Sequence, residues 1–267
     1  MTNILGHPGE IALHYHLPQA LLLLLLATAT AASEDSRLRY SQTSPDWLRA
    51  VGQLTVPSMR LENGYARHHT ERCSATLVAA PGDAHARVIV SAWHCLEFYR
   101  DLSQRITFTL LPASQAPREI EAVRYADGGS MAADWAVLRL RQPVAIAEVP
   151  ALYLHPQQAD PALPVVMAGY SRDAGTGSSG KDLSYDPACR ITAADSVSGD
   201  SDCRAYKGAS GGAVIQLTEA GTPLLSGVIS EGNSVDYSRY VPVSVFRQAL
   251  PPELAAAVTA AAQPAPR

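Results

Sequence analysis

The sequence predicts an all-β fold in two lobes. Short apolar runs recur between turn residues, one run alternates strictly, and a connector rich in Pro and Ala, Gln142 to Gln158, divides them into halves of about a hundred residues each. Composition agrees, since only 17% of residues are charged and 18 Gly and 19 Pro supply turns to a chain that is 47% hydrophobic. At 267 residues the chain can bury a full core without borrowing from a partner.

In the first lobe the runs are Ala50 to Val56, Cys73 to Ala79, Arg87 to Ala92, Arg105 to Leu111, Glu119 to Tyr125 and Trp135 to Leu140. Arg105 to Leu111 is the clearest, with Ile106, Phe108 and Leu110 on one face and Thr107 and Thr109 on the other, the pattern of a half-buried strand. The second lobe continues with Leu163 to Ala168, Arg190 to Ala193, Ala213 to Leu217, Leu224 to Ser230 and Tyr240 to Val245. Ser171 to Lys181 and Ser196 to Asp202 are loops by composition. The folded domain is expected over 47–250, and 251–267 reads as a helix entered through Pro251 and Pro252, followed by a tail.

Ahead of the domain, 33–46 is polar and without a sustained period, so a flexible arm is expected there. Leu17 to Ala32 is a short apolar run ending in small residues, so 1–32 reads as a signal peptide cut near Ala31 or Ala32. The run falls short of the ~20 apolar residues that a membrane span needs. No Lys or Arg precedes it, only Glu10, His7, His14 and His16, which a start codon placed too early would explain. A buried Leu-rich helix or an uncleaved anchor is the competing reading.

Export implies a secreted or periplasmic protein with no membrane insertion once the signal is removed, and a monomer is expected. The net charge of -4 leaves no basic field for nucleic acid or an anionic membrane. The four cysteines, Cys73, Cys95, Cys189 and Cys203, favour two disulfides in an exported chain. Three pairings are possible, and sequence proximity favours Cys73 with Cys95 and Cys189 with Cys203. A zinc site from Cys73, His94, Cys95 and His68 or His69 would be the rival, but CxxC and HxxxH spacings are missing, so neither metal nor other cofactor is expected.

Gly208-Ala209-Ser210-Gly211-Gly212 is the sharpest chemical signal. Glycines around a serine allow a tight turn that exposes the hydroxyl beside backbone N–H groups. The same pattern occurs in the nucleophile elbow of α/β-hydrolases, where acid and histidine follow the serine. Here all eight histidines precede Ser210, so no base remains downstream for the hydrolase order, and the order histidine, acid, serine stays open. His94 ends the apolar run Val88 to Trp93 and neighbours Cys95, a rigid platform for a base. His68, His69, His85 and His155 lie in charged or turn-like stretches and are expected to be exposed. Asp134 heads the apolar run Trp135 to Leu138 and can turn its carboxylate inward, whereas Asp127 lies in an Asp-Gly-Gly turn.

Ser91-Ala92-Trp93-His94-Cys95 resembles the Thr/Ser-Ala-Ala-His-Cys block of the trypsin and chymotrypsin family. Asp134-Trp135-Ala136-Val137-Leu138 resembles its Asp-Ile-Ala-Leu-Leu block, and Gly208 to Gly212 its Gly-Asp-Ser-Gly-Gly. Leu225 to Gly232 is similar to the family strand that ends in Ser-Trp-Gly. Gly169-Tyr170 and the paired Cys189 and Cys203 look most like bacterial trypsin-like and glutamyl-endopeptidase-like members. The resemblance covers roughly Val51 to Phe246 and implies two antiparallel six-stranded β-barrels with a cleft between them. It implies an endopeptidase acting on polypeptides, with Ser210 as nucleophile, His94 as general base and Asp134 as its orienter. The N–H groups of Gly208 and Ser210 would form the oxyanion hole. Ser230 would support Asp134, and Ser230, Glu231 and Gly232 would pair with substrate backbone.

Two departures stand out. Ala209 replaces the family aspartate that receives a new N-terminal amine on zymogen cleavage, so no freed Ile or Val terminus should be needed. Ala213 replaces a common proline. Arg204 falls where the family often places the base of the primary specificity pocket and would favour acidic side chains, unless it is simply a solvated loop residue. Asp200 and Asp202 are weaker pocket candidates, and Ile229 stands where glutamyl endopeptidases carry a pocket histidine. An inactive protease-like binding module and an esterase of the same fold are the alternatives.

Overall fold

The structure, a computed structural model, describes Thr2 and residues 35–256; apart from Thr2, the segment read as a signal peptide at 1–32 lies outside the described residues, as does the tail beyond 256. Strands β1 (Leu38–Arg39), β2 (Val51–Glu62), β3 (Tyr65–Val78), β4 (His85–Ser91), β5 (Ile106–Leu110), β6 (Arg118–Asp127) and β7 (Ala136–Ala145) come first. All but β1 close into a six-stranded barrel in the order β2-β3-β4-β7-β6-β5. The alternation read at Arg105 to Leu111 is realised in part: Ile106, Phe108 and Leu110 are buried in the barrel core, but Thr109 on the opposite face is buried too, at 8% exposure.

The β2–β3 hairpin is longer than the apolar runs suggested. Its turn is Asn63-Gly64, both with positive φ (53° and 83°), the backbone that a two-residue primed turn requires. Residues 61–70 project into solvent, so the hairpin arm is polar on both faces and shows no period. His68 and His69 sit exposed on β3 rather than in a turn, and His155, read as exposed, is half-buried with Nδ1 against the Gln157 carbonyl.

The second lobe holds β8 (Tyr153–Leu154), β9 (Val165–Gly169), β10 (Ser184–Cys189), β11 (Ile191–Ala194), β12 (Gly199–Ser201), β13 (Ala213–Leu217), β14 (Pro223–Gly232) and β15 (Ser238–Pro242). They form one curled sheet ordered β1-β10-β9-β13-β14-β15-β12-β11, with β8 parallel to β14. Nine strands take part rather than the implied six: β1 and β8, two residues each, add pairing too short to be read as a period, and β10 and β11 are separate strands divided only at Arg190. The fold is the all-β, chymotrypsin-like architecture that the resemblance implied.

From Asp35 onward the arm at 33–46, expected to be flexible, is held against the second lobe. Leu38 and Arg39 pair with Tyr185 and Ser184 of β10, and the Tyr40 N–H donates to the Leu183 carbonyl at 2.8 Å. Arg37 is only 6% exposed. At the other end a short helix α1 (Val243–Phe246) follows β15, and residues 252–256 are helical, with Leu250 and Leu254 buried in the main core. That core runs through the first barrel into the second lobe, and a smaller cluster around Val165, Met167, Val214 and Ile229 packs on Cys189 and Cys203. Among the described residues no helix is long and apolar enough to cross a membrane.

Candidate active site

His94 sits in the single turn Trp93–Cys95 that follows β4. The turn is tied to β3 by the Cys73–Cys95 disulfide, and the Cys189–Cys203 disulfide ties β10 to the segment after β12. Both pairs match the sequence proximity. With their sulfurs bonded to each other, Cys73 and Cys95 offer no thiolate to a metal beside His94.

Asp134 lies immediately before β7 and is fully buried. Its Oδ1 accepts the His94 backbone N–H at 2.9 Å and its Oδ2 meets His94 Nδ1 at 2.8 Å. The buried Ser230 hydroxyl, from β14, donates to the same Oδ2. Three bonds compensate a charge removed from water and leave the carboxylate no freedom to rotate. With Nδ1–H directed at the carboxylate, a neutral His94 ring keeps its lone pair on Nε2. The His94 side chain is 27% exposed and faces a cavity of about 310 Å³.

Ser210 lines that cavity with His94, Lys207, Ser230, Glu231 and Gly232. Its hydroxyl points to the Ser230 carbonyl at 3.5 Å, and among the described residues no hydrogen bond joins it to His94. The turn that carries it is braced on each side. The Ala209 N–H donates to the Tyr206 carbonyl at 3.0 Å and the Gly211 N–H to the Ile229 carbonyl at 2.7 Å. Gly208 has φ of +95°, and a β-carbon there would lie 2.5 Å from the Tyr170 carbonyl oxygen. Gly211 has φ of +80° and a β-carbon would lie 2.1 Å from Ser91 Oγ, so only glycine fits either place. Among the described residues the N–H groups of Gly208 and Ser210 have no recorded acceptor.

Sequence reasoning missed Ser74. Fully buried on β3, it donates its hydroxyl to the Gly208 carbonyl at 2.8 Å, accepts the Tyr170 N–H at 2.8 Å, and gives its own N–H to the Ser210 carbonyl at 2.8 Å. Its position directly after Cys73 was the available signal: a polar residue inside an apolar run beside a cysteine. Arg37 was missed as well. Its guanidinium reaches Asp35 at 2.7 Å and Asp173 at 3.0 Å and stacks 4.0 Å from the Tyr206 ring centroid. The hydrogen bond from Arg37 holds the Asp35 carboxyl below the usual carboxylate range. For Asp173 burial pushes upward, but the Arg37 guanidinium and the Gly177 N–H more than offset it.

The other specificity candidates divide. Glu231 and Gly232 line the cavity, because β13 begins only at Ala213 and leaves the end of β14 unpaired on that edge. Arg204 is not in the cavity wall, which Ala205, Tyr206 and Lys207 form instead; it lies near enough to Asp35 to favour that residue's charged form. Asp200 is paired with Arg239 at 2.8 Å and Asp202 with Arg190 at 3.0 Å, and neither faces the cavity. Met131, unremarked in the sequence, completes the rim.

A barrel and a curled sheet, with an imidazole backed by a buried carboxylate and a glycine-braced serine sharing one cavity, define the trypsin-like class of peptidase. The chain belongs to that family: the family model for the trypsin-like peptidase domain matches residues 73–221. No curated protein matches it. Among solved structures it is similar to the protease Anisep from Arthrobacter nicotinovorans, at 18% identity and a TM-score of 0.54, over 77% of this chain and 97% of that one. It is also similar to the HtrA-type protease AlgW with a decapeptide, at 16% identity and a TM-score of 0.51, over 76% of this chain and 64% of that one. At such identities the likeness is one of fold.

Proposed function

We propose that this protein is an exported serine endopeptidase that cleaves polypeptides through an acyl-enzyme on Ser210. Ser210 Oγ attacks the scissile carbonyl carbon while its proton passes to His94 Nε2. The resulting oxyanion is received by the N–H groups of Gly208 and Ser210, each worth about 3 kcal/mol in related sites. Collapse breaks the C–N bond as His94 returns its proton to the leaving amine, and water repeats the sequence to release the acid. Asp134 holds the ring in place and stabilises its cation. Ser230 to Gly232 accept the acyl half of the substrate as an added strand. Export is supported by the apolar segment before Ser33 and by two disulfides, which persist in oxidising compartments.

The observation that carries the reading is the buried Asp134 carboxylate bonded to both the backbone and the ring of His94 on the cavity that Ser210 shares. One contact favours a second reading. The Ser210 hydroxyl is turned to the Ser230 carbonyl, and if it stays there the protein is a protease-shaped binding module. A fluorophosphonate probe separates the two. Stoichiometric labelling mapped to Ser210 and abolished in Ser210→Ala supports the peptidase, and an unlabelled wild type, with no cleavage of an unfolded protein substrate, favours the module.

A further inference from the structure

We infer that a cationic cavity on the leaving-group side of Ser210 selects substrates with an acidic side chain shortly after the scissile bond; this rests on the peptidase reading above. The cavity holds about 400 Å³ and is walled by Thr55, Arg72 and Cys73 of the barrel and by Tyr170, Arg172 and Lys181 of the second lobe. It is bonded to the nucleophile's turn from both sides. Ser74, next to Cys73, gives its N–H to the Ser210 carbonyl at 2.8 Å, and the Arg172 N–H donates to the Lys207 carbonyl at 2.7 Å. The aliphatic stem of Arg172 runs past Gly208.

The other cavity, with Ser230 to Gly232 on its edge, takes the acyl half of an extended substrate. Past the cleaved bond the chain must leave in the opposite direction, across the Cys73–Cys95 bridge. At ~3.3 Å per residue its first three residues span about 10 Å, enough to enter the cationic cavity.

Charge decides which side chains suit it. Arg72, Arg172 and Lys181 are exposed, and among the described residues none of the three is in an ion pair. The carboxylate in the wall, Asp182, is already engaged by Arg39 at 3.2 Å and by the Ser178 hydroxyl at 2.6 Å. A chain of net charge -4 therefore presents a local positive field beside its nucleophile. A glutamate or aspartate entering there meets cations whose long stems can follow it, and a lysine is repelled.

The test uses the protein as it stands after signal removal and a peptide library with cleavage sites mapped by mass spectrometry. Acidic residues should be enriched at the second and third positions after the cut bond. In a matched set built on the best-cleaved peptide, Glu there should exceed Lys in kcat/KM by about fivefold at low salt, with Gln between, the upper end of what exposed ion pairs allow. The gap should narrow at 0.5 M salt, a concentration on the order of that at which charges several ångströms apart are screened. In Arg72→Gln with Lys181→Gln the ratio of Glu to Gln should fall to less than half its wild-type value, the remainder being carried by Arg172. Equal rates for Glu and Lys in the wild type, or a preference undiminished by both substitutions, overturns the inference while leaving the peptidase intact. Failure to cleave any peptide, with no fluorophosphonate labelling, overturns the peptidase reading and this inference with it.

Discussion

Replacing Arg37 by alanine should loosen the molecule at Tyr206, two residues from the Gly208–Gly212 turn. Its side chain is 3% exposed and its partners Asp35 and Asp173 are 31% and 13% exposed, so the cluster is largely shielded from water. Hydrogen bonds run from Nε and Nη2 to Asp35 at 3.0 and 2.7 Å and from Nη1 to Asp173 at 3.0 Å. Removing the cation from such a pair costs about 3–5 kcal/mol when the charge left behind is fully buried. Asp35 can regain water, which places the loss near the lower figure, about 3 kcal/mol. For a domain of this size that lowers the melting midpoint by about 6–12 °C. The Tyr206 carbonyl receives the Ala209 N–H and the Tyr206 ring carries the guanidinium, so release of Tyr206 should displace the N–H groups of Gly208 and Ser210. A displacement of about 1 Å can cost up to about a hundredfold in rate, and kcat should fall by at least tenfold with a smaller change in KM. Arg37→Lys keeps the charge without the fork and should fall between. Thermal unfolding followed by circular dichroism, with kcat measured on one peptide, checks both. A midpoint within 1 °C of the wild type, on the order of measurement error rather than of a lost buried charge, together with unchanged kcat, would show that Arg37 holds nothing.

Three further outcomes follow from the same contacts. Ser74→Ala leaves the Gly208 carbonyl and the Tyr170 N–H buried without their partner, which should cost about 2–4 kcal/mol in urea unfolding and slow fluorophosphonate labelling of Ser210. Extra residues retained ahead of Asp35 should leave activity intact, because Ala209 offers no carboxylate to a new amine, whereas deletion through Arg37 should abolish it; a requirement for one trimmed terminus, seen in a truncation series, would refute this. Asp35 and Asp173 have folded pKa values below those of the unfolded chain, so their contribution is complete above about pH 4 and is lost as pH falls through the folded values. Acid unfolding of the wild type should therefore steepen below about pH 4, and Arg37→Ala should lack that component.

What could be read in advance were features whose chemistry is local in sequence. The His94 and Asp134 blocks each place a polar residue at the end of an apolar strand, and the Gly208 to Gly212 turn announces itself by glycines that no other residue can replace. Ser74 and Arg37 were missed for different reasons. Ser74 is a polar residue inside a strand, and its three partners lie about a hundred or more residues away on two different segments. Arg37 belongs to a polar stretch where no period could separate a buried arginine from a solvated one. The β2–β3 arm failed for a third reason, since both its faces meet water and the alternation that reveals strands had nothing to report.

The two missed residues bear on one question, which is what keeps the Gly208 turn in working shape when position 209 is alanine. In this chain Ala209 packs against Gly169 with no charge to anchor it. Order reaches the turn instead from outside, through Ser74 at the Gly208 and Ser210 carbonyls and through Arg37 at Tyr206. The first tie belongs to the barrel and the second to the arm that precedes it, so the turn is held by covalently continuous parts of the chain. If that is the source of its order, Ala209→Asp should not raise activity, because a new carboxylate at a site only 3% exposed would be buried without a cation. A loss of stability of about 3 kcal/mol or more in urea unfolding is expected, and a gain in kcat on the same peptide would show that the turn still lacks an anchor.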